Sequence, residues 1–116
     1  MRTKLLTFLM LAGGVGCATA QLPTEKLVST EGGIQSAEQL GAAKIPEASL
    51  YLQYAKEQVA AASALIKDGK SERAAVVLER ADADAQLAVA LAKEAPLRSA
   101  AQQALEQVKS MKGGVQ

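Results

Sequence analysis

The sequence predicts an all-α protein, arranged as a small antiparallel helical hairpin or as a three- to four-helix bundle. Apolar residues recur at alternating spacings of four and three through most of the chain after residue 23, which is the periodicity of amphipathic helices. No segment shows the period of two that is typical of a strand. Aromatic residues make up only 3% of the 116 residues, so the core must be built mainly from Ala, Leu, Val and Ile.

The first sixteen residues, MRTKLLTFLMLAGGVG, have the layout of a secretory signal peptide. Arg2 and Lys4 form a basic region, an apolar run follows from Leu5 to Ala12, and small residues then lead to Cys17. The apolar stretch covers about a dozen residues, against the roughly 20 that a membrane-spanning helix needs. We therefore expect this segment to be cleaved rather than kept as a transmembrane helix.

Cys17, the only cysteine in the chain, follows this segment directly. The stretch Val15 to Cys17 is similar to the lipobox of bacterial lipoproteins, although Gly14 stands where that motif usually has Leu. The resemblance implies that Cys17 is the lipidation site and carries a diacylglyceryl thioether and an acylated amino group, which together anchor a protein durably. The alternative is a plain signal peptide cleaved at an Ala-x-Ala site, which Ala18 to Ala20 would supply.

The resemblance to lipoproteins also implies a location and a division of the chain. Because Ala18 is not Asp, the sorting rule of enterobacterial lipoproteins would direct the protein to the periplasmic face of the outer membrane. We predict a signal peptide over residues 1–16, a lipidated cysteine and tether over 17–23, an alanine-rich helical domain over 24–112 and a tail over 113–116.

The first helix of that domain is expected from about Thr24 to Ala42. Gly32 and Gly33 lie inside it, and each costs up to about 1 kcal/mol relative to Ala in a helix interior. We therefore expect this helix to be the weakest of the domain, or to begin only after Gly33.

The second helix has clearer limits, since Pro46 suits a first helical position and Asp68 with Gly69 supplies a stop. It is predicted from Pro46 to Lys67. Its apolar positions follow the four-three spacing of a heptad seam. These positions are Ala48, Leu52, Ala55, Val59, Ala62 and Ile66.

The third helix is expected to start at Ser71 as its capping residue. Its seam is almost entirely alanine, which predicts close packing against the second helix in an antiparallel hairpin. Pro96 either kinks this helix or starts a separate one with its own apolar face, and Gly113 and Gly114 end it. The seam consists of Ala74, Leu78, Ala81, Ala85, Ala88 and Ala92, and the later face of Leu97, Ala101, Ala104, Leu105 and Val108.

Composition narrows the classes of function. The chain carries a net charge of +1, and losing Arg2 and Lys4 with the signal leaves 11 basic against 12 acidic residues, a net charge of −1. This balance gives no basic surface suited to nucleic acid. Histidine is absent and there is one cysteine, so the commonest general base, a disulfide and a cysteine-based zinc site are all missing. We predict no metal, no cofactor and no enzymatic activity.

Two pairs of residues were candidates for chemistry. Asp82 and Asp84 could in principle hold a cation, but on a helix they diverge by about 200°, which favours two solvated charges, with Arg80 pairing with Asp84. Tyr51 and Tyr54 could form an aromatic contact for a partner or a glycan. The favoured interpretation is that they cover the gap between the first and second helices.

The lipobox, the alanine-rich first segment, the span Pro46 to Ala92 and the stretch Asp84 to Ala88 resemble an uncharacterised family of alanine-rich envelope lipoproteins. In that family the helical domain often precedes an OmpA-like peptidoglycan-binding domain. No OmpA-like sequence occurs in these 116 residues, so the resemblance implies no functional residue other than Cys17. We expect an adaptor module that binds another envelope protein or itself. The alternative is a structural lipoprotein associated with peptidoglycan, which no motif supports.

Overall fold

The computed structural model describes residues 22–114, and these residues form three α-helices and one 3₁₀ turn. Helix α1 spans Pro23–Gln39, the 3₁₀ turn Ala42–Lys44, α2 Pro46–Lys67 and α3 Ser71–Gly113. No strand occurs between residues 22 and 114. The prediction of an all-α helical bundle is confirmed. The predicted signal peptide, the lipidation site Cys17 and most of the tether lie outside the described residues.

Helix α1 runs without a break through Gly32 and Gly33, so the predicted start near Thr24 is confirmed to within one residue and the alternative start after Gly33 is wrong. Tertiary contact explains this, because Ile34 and Ala37 are buried in the core next to the glycines. The helix also ends three residues earlier than expected, at Gln39. Gly41, in the left-handed conformation with φ of 79°, donates its backbone N–H to the Glu38 carbonyl and closes the last turn.

Helices α2 and α3 are joined by a tight turn at Asp68 to Lys70. Gly69 has φ of 73°, and its N–H bonds to the Ile66 carbonyl while that of Lys70 bonds to the Leu65 carbonyl. This pair of hydrogen bonds is a Schellman motif, which ends α2 at the predicted residue. The predicted capping by Ser71 is wrong, because the chain re-enters a helix directly and Ser71 is already its first residue.

The antiparallel hairpin of α2 and α3 packs through the two predicted seams. All six seam positions of α3 are buried, and in α2 four are buried while Val59 and Ile66 are half-buried. Because most of these side chains are methyl groups, the two helices can approach closely. Leu78 and Thr30 are the largest side chains among residues 22–114 that are fully buried.

Helix α1 packs against this hairpin, parallel to α3 and antiparallel to α2. Lys26 of α1 lies level with Asp82 of α3, and Gly33 lies further along, level with Ala85. A Cβ atom on Gly33 would come within 3.4 Å of the Ala85 Cβ, so the two backbones are close. The start of α1 therefore lies towards the α2–α3 turn, at the opposite end of the bundle from the C-terminal part of α3.

Helix α3 continues through Pro96 as one element of 43 residues, so Pro96 does not start a separate helix. At 1.5 Å per residue α3 is about 64 Å long, against about 33 Å for α2. The bundle therefore ends near Ala95, and every residue from Pro96 to Gly114 is exposed. We call residues 96–113 of α3 the tail, in place of the predicted tail of residues 113–116.

Candidate functional site

The two aspartates of α3 point to different helices and form no common site. Asp82 accepts hydrogen bonds from Lys26 Nζ of α1 at 3.3 Å and from Gln86 Nε2 at 2.9 Å. Asp84 accepts one from Gln58 Nε2 of α2 at 2.8 Å. The predicted divergence is confirmed, but the interpretation as solvated charges is wrong, because both carboxylates are half-buried between helices.

The predicted surface pair of Arg80 with Asp84 is also wrong. Arg80 is exposed and forms no ion pair in the structure of residues 22–114, while Asp84 turns towards Gln58. The sequence could not show this partner, because it comes from a different helix. Within residues 22–114, no three acidic or other metal-binding side chains lie close enough together to hold a metal ion.

Tyr51 and Tyr54 contact each other edge to face, with ring centroids 6.2 Å apart and planes at 83°. Their predicted place between the first and second helices is wrong, because Tyr51 lies on the side of α2 that faces α3. There it lines an open groove of about 280 Å³. The other lining residues are Glu47, Leu50, Leu87 and Leu91. The groove is mainly apolar, with one carboxylate at its edge, and suits an apolar side chain better than a glycan.

The second apolar feature is a row of exposed residues along α3, on the side opposite its buried seam. The row keeps the four-three spacing for about four heptads and includes one charged residue, Glu94. We call it the outer face. It consists of Ala83, Leu87, Ala90, Glu94, Leu97, Ala101, Ala104, Val108 and Met111, all exposed.

The outer face is distinct from the buried seam of the same helix. At 100° per residue, its mean direction is rotated by about 160° from that of the buried seam. One continuous helix therefore carries two apolar faces on nearly opposite sides, and the rest of residues 22–114 covers only one of them. Leu97 is 71% exposed, Leu105 beside the face 61% and Met111 65%.

Sequence reasoning identified only the later half of this surface. The apolar pattern predicts one face from Leu97 to Val108, with Pro96 as an interruption before it. The spacing continues unbroken back to Ala83 through Glu94, and this signal was present in the sequence. It becomes meaningful once α3 is known to continue through the proline as one helix.

An ion pair lies where the outer face leaves the bundle. Arg98 donates a hydrogen bond from Nη2 to Glu94 Oε1 at 2.6 Å, one helical turn back. The hydrogen bond and charge of Glu94 raise the pKa of the Arg98 guanidinium, and the charge of Glu47 adds to this. The pair places a neutralised polar group in the middle of an otherwise apolar row.

Within residues 22–114, no helix has the length and hydrophobicity needed to span a membrane. Comparisons of the chain with protein-family models, with curated proteins and with solved structures found no match. The chain is thus an all-α bundle with one long helix, α3. Of the two apolar faces of α3, the outer face is not packed against any other element of residues 22–114. A face of this kind can bind another helix through apolar side chains.

Proposed function

We propose that this chain is a lipid-anchored protein of the bacterial envelope that acts through protein–protein contacts. In this proposal Cys17 attaches it to the outer membrane, on the periplasmic side, and the outer face of α3 is its binding surface. The observation that carries the binding role is the outer face itself. Its exposed leucine, valine and methionine side chains extend over about 36 Å of helix, from Leu87 to Met111. Contiguous exposed apolar surface of this kind is typical of interaction sites.

The anchoring role is supported by the order of the N-terminal residues. A basic region, an apolar run and Val15-Gly16-Cys17 follow one another as in lipoprotein signals. Six residues, 17–22, then connect the cysteine to the start of α1 at Pro23. Extended, they reach about 20 Å, enough to hold the bundle at a membrane surface without inserting it.

Mass spectrometry of the protein from a Gram-negative host tests the anchor. We expect a mature N-terminus at Cys17 that carries acyl mass, and recovery in the outer-membrane fraction. Cys17→Ser should abolish the acyl mass, and Ala18→Asp should keep it while moving the protein to the inner membrane. An intact leader, or an unacylated N-terminus beyond residue 17, would contradict the proposal.

Affinity capture from detergent extracts of the envelope tests the binding role. Leu97→Glu puts a charge on the outer face, whereas Ser99→Glu puts the same charge on the opposite side of the tail. Both residues are exposed, so neither change should disturb the fold. We expect the wild type and Ser99→Glu to retain a specific partner that Leu97→Glu loses. Absence of any partner, together with a monomer by light scattering, would overturn this role.

The alternative role, a structural lipoprotein associated with peptidoglycan, gives a different result in a simple assay. It requires the protein to sediment with purified sacculi after detergent washing, and to do so regardless of Leu97→Glu. In our proposal the protein is released into the detergent.

A further inference from the structure

We propose that the outer face of α3 binds a second copy of this chain in an antiparallel dimer, so that each tail lies along the bundle of the other copy. This inference deepens the proposed function by naming the partner. It rests on the binding role of the outer face and is independent of the lipid anchor.

Among residues 22–114, no other element packs against the tail. Its residues are all exposed, and it forms a helical stretch of about 18 residues that extends beyond the bundle from Pro96. Isolated helices of this length are only marginally stable in water, and Pro96 removes the hydrogen bond that the Ala92 carbonyl would accept. A partner that covers the apolar side of the tail would supply the missing stabilisation.

The sequence of the outer face is complementary to itself when reversed. In one antiparallel register a larger side chain meets an alanine in three successive layers, as close packing requires, and the outermost layer pairs two large side chains. In each pair the second residue belongs to the other copy. The layers are Leu97 with Ala101, Ala90 with Val108, Glu94 with Ala104, and Leu87 with Met111.

The same register gives the groove between α2 and α3 an occupant. Met111 of the second copy would reach the outer face at Leu87, which is one wall of that groove. Leu105 of the second copy would lie against Leu91, another wall. One arrangement thereby fills the groove of about 280 Å³ and covers Leu105 and Met111, the two most exposed apolar side chains near the end of the tail.

Charge favours the antiparallel over the parallel orientation. In a parallel pair in register, Glu94 would face Glu94 of the other copy, and Lys93 would lie beside its Arg98, so like charges would oppose each other. In the antiparallel register Glu94 faces Ala104 instead. Arg98 of one copy lies close to Arg98 of the other across the symmetry axis. Each guanidinium, however, is already paired with Glu94 of its own chain at 2.6 Å.

The size of the surface predicts a dimer of modest affinity. A standard interface of about 800 Å² per partner uses 20–30 residues, so the roughly 16 positions on and beside the outer face would bury about 1,000 Å² in total. That value lies at the lower limit for a specific interface. We therefore expect dissociation in the micromolar range, and dimerisation that is favoured where copies are concentrated on one surface.

Photo-crosslinking in cells that make the full chain tests the partner. A photoreactive residue replaces Ala104 on the outer face, and in a control it replaces Glu106 on the opposite side of the tail. We expect an adduct of twice the chain mass from position 104, weaker by at least about tenfold from position 106. Adding Leu97→Glu should reduce the yield of the adduct from position 104 by about the same factor, because the change buries a carboxylate in an apolar layer of the dimer.

An adduct of any other mass at position 104 would overturn the dimer and leave the proposed binding role standing. No adduct at all would overturn both. The orientation is tested by disulfides in the full chain. The double variant Ala90→Cys with Val108→Cys should crosslink between positions 90 and 108, as mapped by peptide mass. A predominant 108–108 crosslink would overturn the antiparallel arrangement.

Discussion

At Ala85 the core accommodates a methyl group and little more. The residue is fully buried on α3, and the opposing backbone of α1 is close enough that a Cβ on Gly33 would lie 3.4 Å away. Ala85→Leu should therefore lower the free energy of unfolding by about 1–3 kcal/mol through overpacking. Urea unfolding followed by circular dichroism measures this. Ala60→Leu on the exposed side of α2 is the control and should change it by less than about 0.5 kcal/mol. Equal effects at the two positions would contradict the close approach.

Lys26 and Asp82 form an ion pair that links α1 to α3. Its side chains keep about a quarter of their exposure, 25% and 23%, whereas those of Lys109 and Glu106 keep 71% and 72%. A double-mutant cycle of Lys26→Met and Asp82→Ala should give a coupling energy of about 0.5–1 kcal/mol. The same cycle on Lys109 and Glu106 should give about zero. A coupling at Lys26 and Asp82 no larger than that of the exposed pair would show that it does not hold α1 in place.

These residues also mark what the sequence could and could not predict. That Asp82 and Asp84 diverge follows from helix geometry alone. Their partners, Lys26 and Gln58, do not, because the rotation of α1 and α2 about their axes depends on packing between all three helices. The same dependence on packing explains why the predicted position of Tyr51, facing the first helix, is wrong.

At the scale of elements, two glycines should respond in opposite directions to the same substitution. Gly32 lies inside α1 with no atom within 4 Å of a Cβ there, so Gly32→Ala should stabilise the protein by about 0.5–1 kcal/mol through helix propensity. Gly69 has φ of 73°, and Gly69→Ala should destabilise it by about 1 kcal/mol because L-residues disfavour that conformation. Thermal unfolding of both variants measures the difference. The same sign at both positions would contradict the backbone assignment of α1 or of the turn.

Local sequence signals determined where a helix begins and ends wherever no tertiary contact opposed them. Pro46 and Gly69 gave both ends of α2 correctly, since each has a strong positional preference. Tertiary contact overrode local preference in α1, where burial of Ile34 and Ala37 compensates for the glycine pair. At Pro96 the sequence allowed either one helix kinked at the proline or a separate helix after it, and α3 is one continuous helix.

At the scale of the whole molecule, the structure divides into a packed bundle and a tail that depends on a partner. Amide hydrogen exchange of the purified protein should show this division directly. At low concentration the amides of residues 100–111 should exchange much faster than those near Ala85 and Leu52, because no other part of the described bundle packs against the tail.

Raising the protein concentration should slow exchange in the tail and leave the bundle nearly unchanged, since only the tail gains order when the dimer forms. Leu97→Glu should abolish this concentration dependence, whereas Ser99→Glu should preserve it. If the tail were as protected as the bundle at the lowest concentration, the helix would be stable without cover, and its exposed leucines would no longer require a second copy. Exchange rates thus connect the spacing of apolar residues along one helix to the assembly of the whole protein.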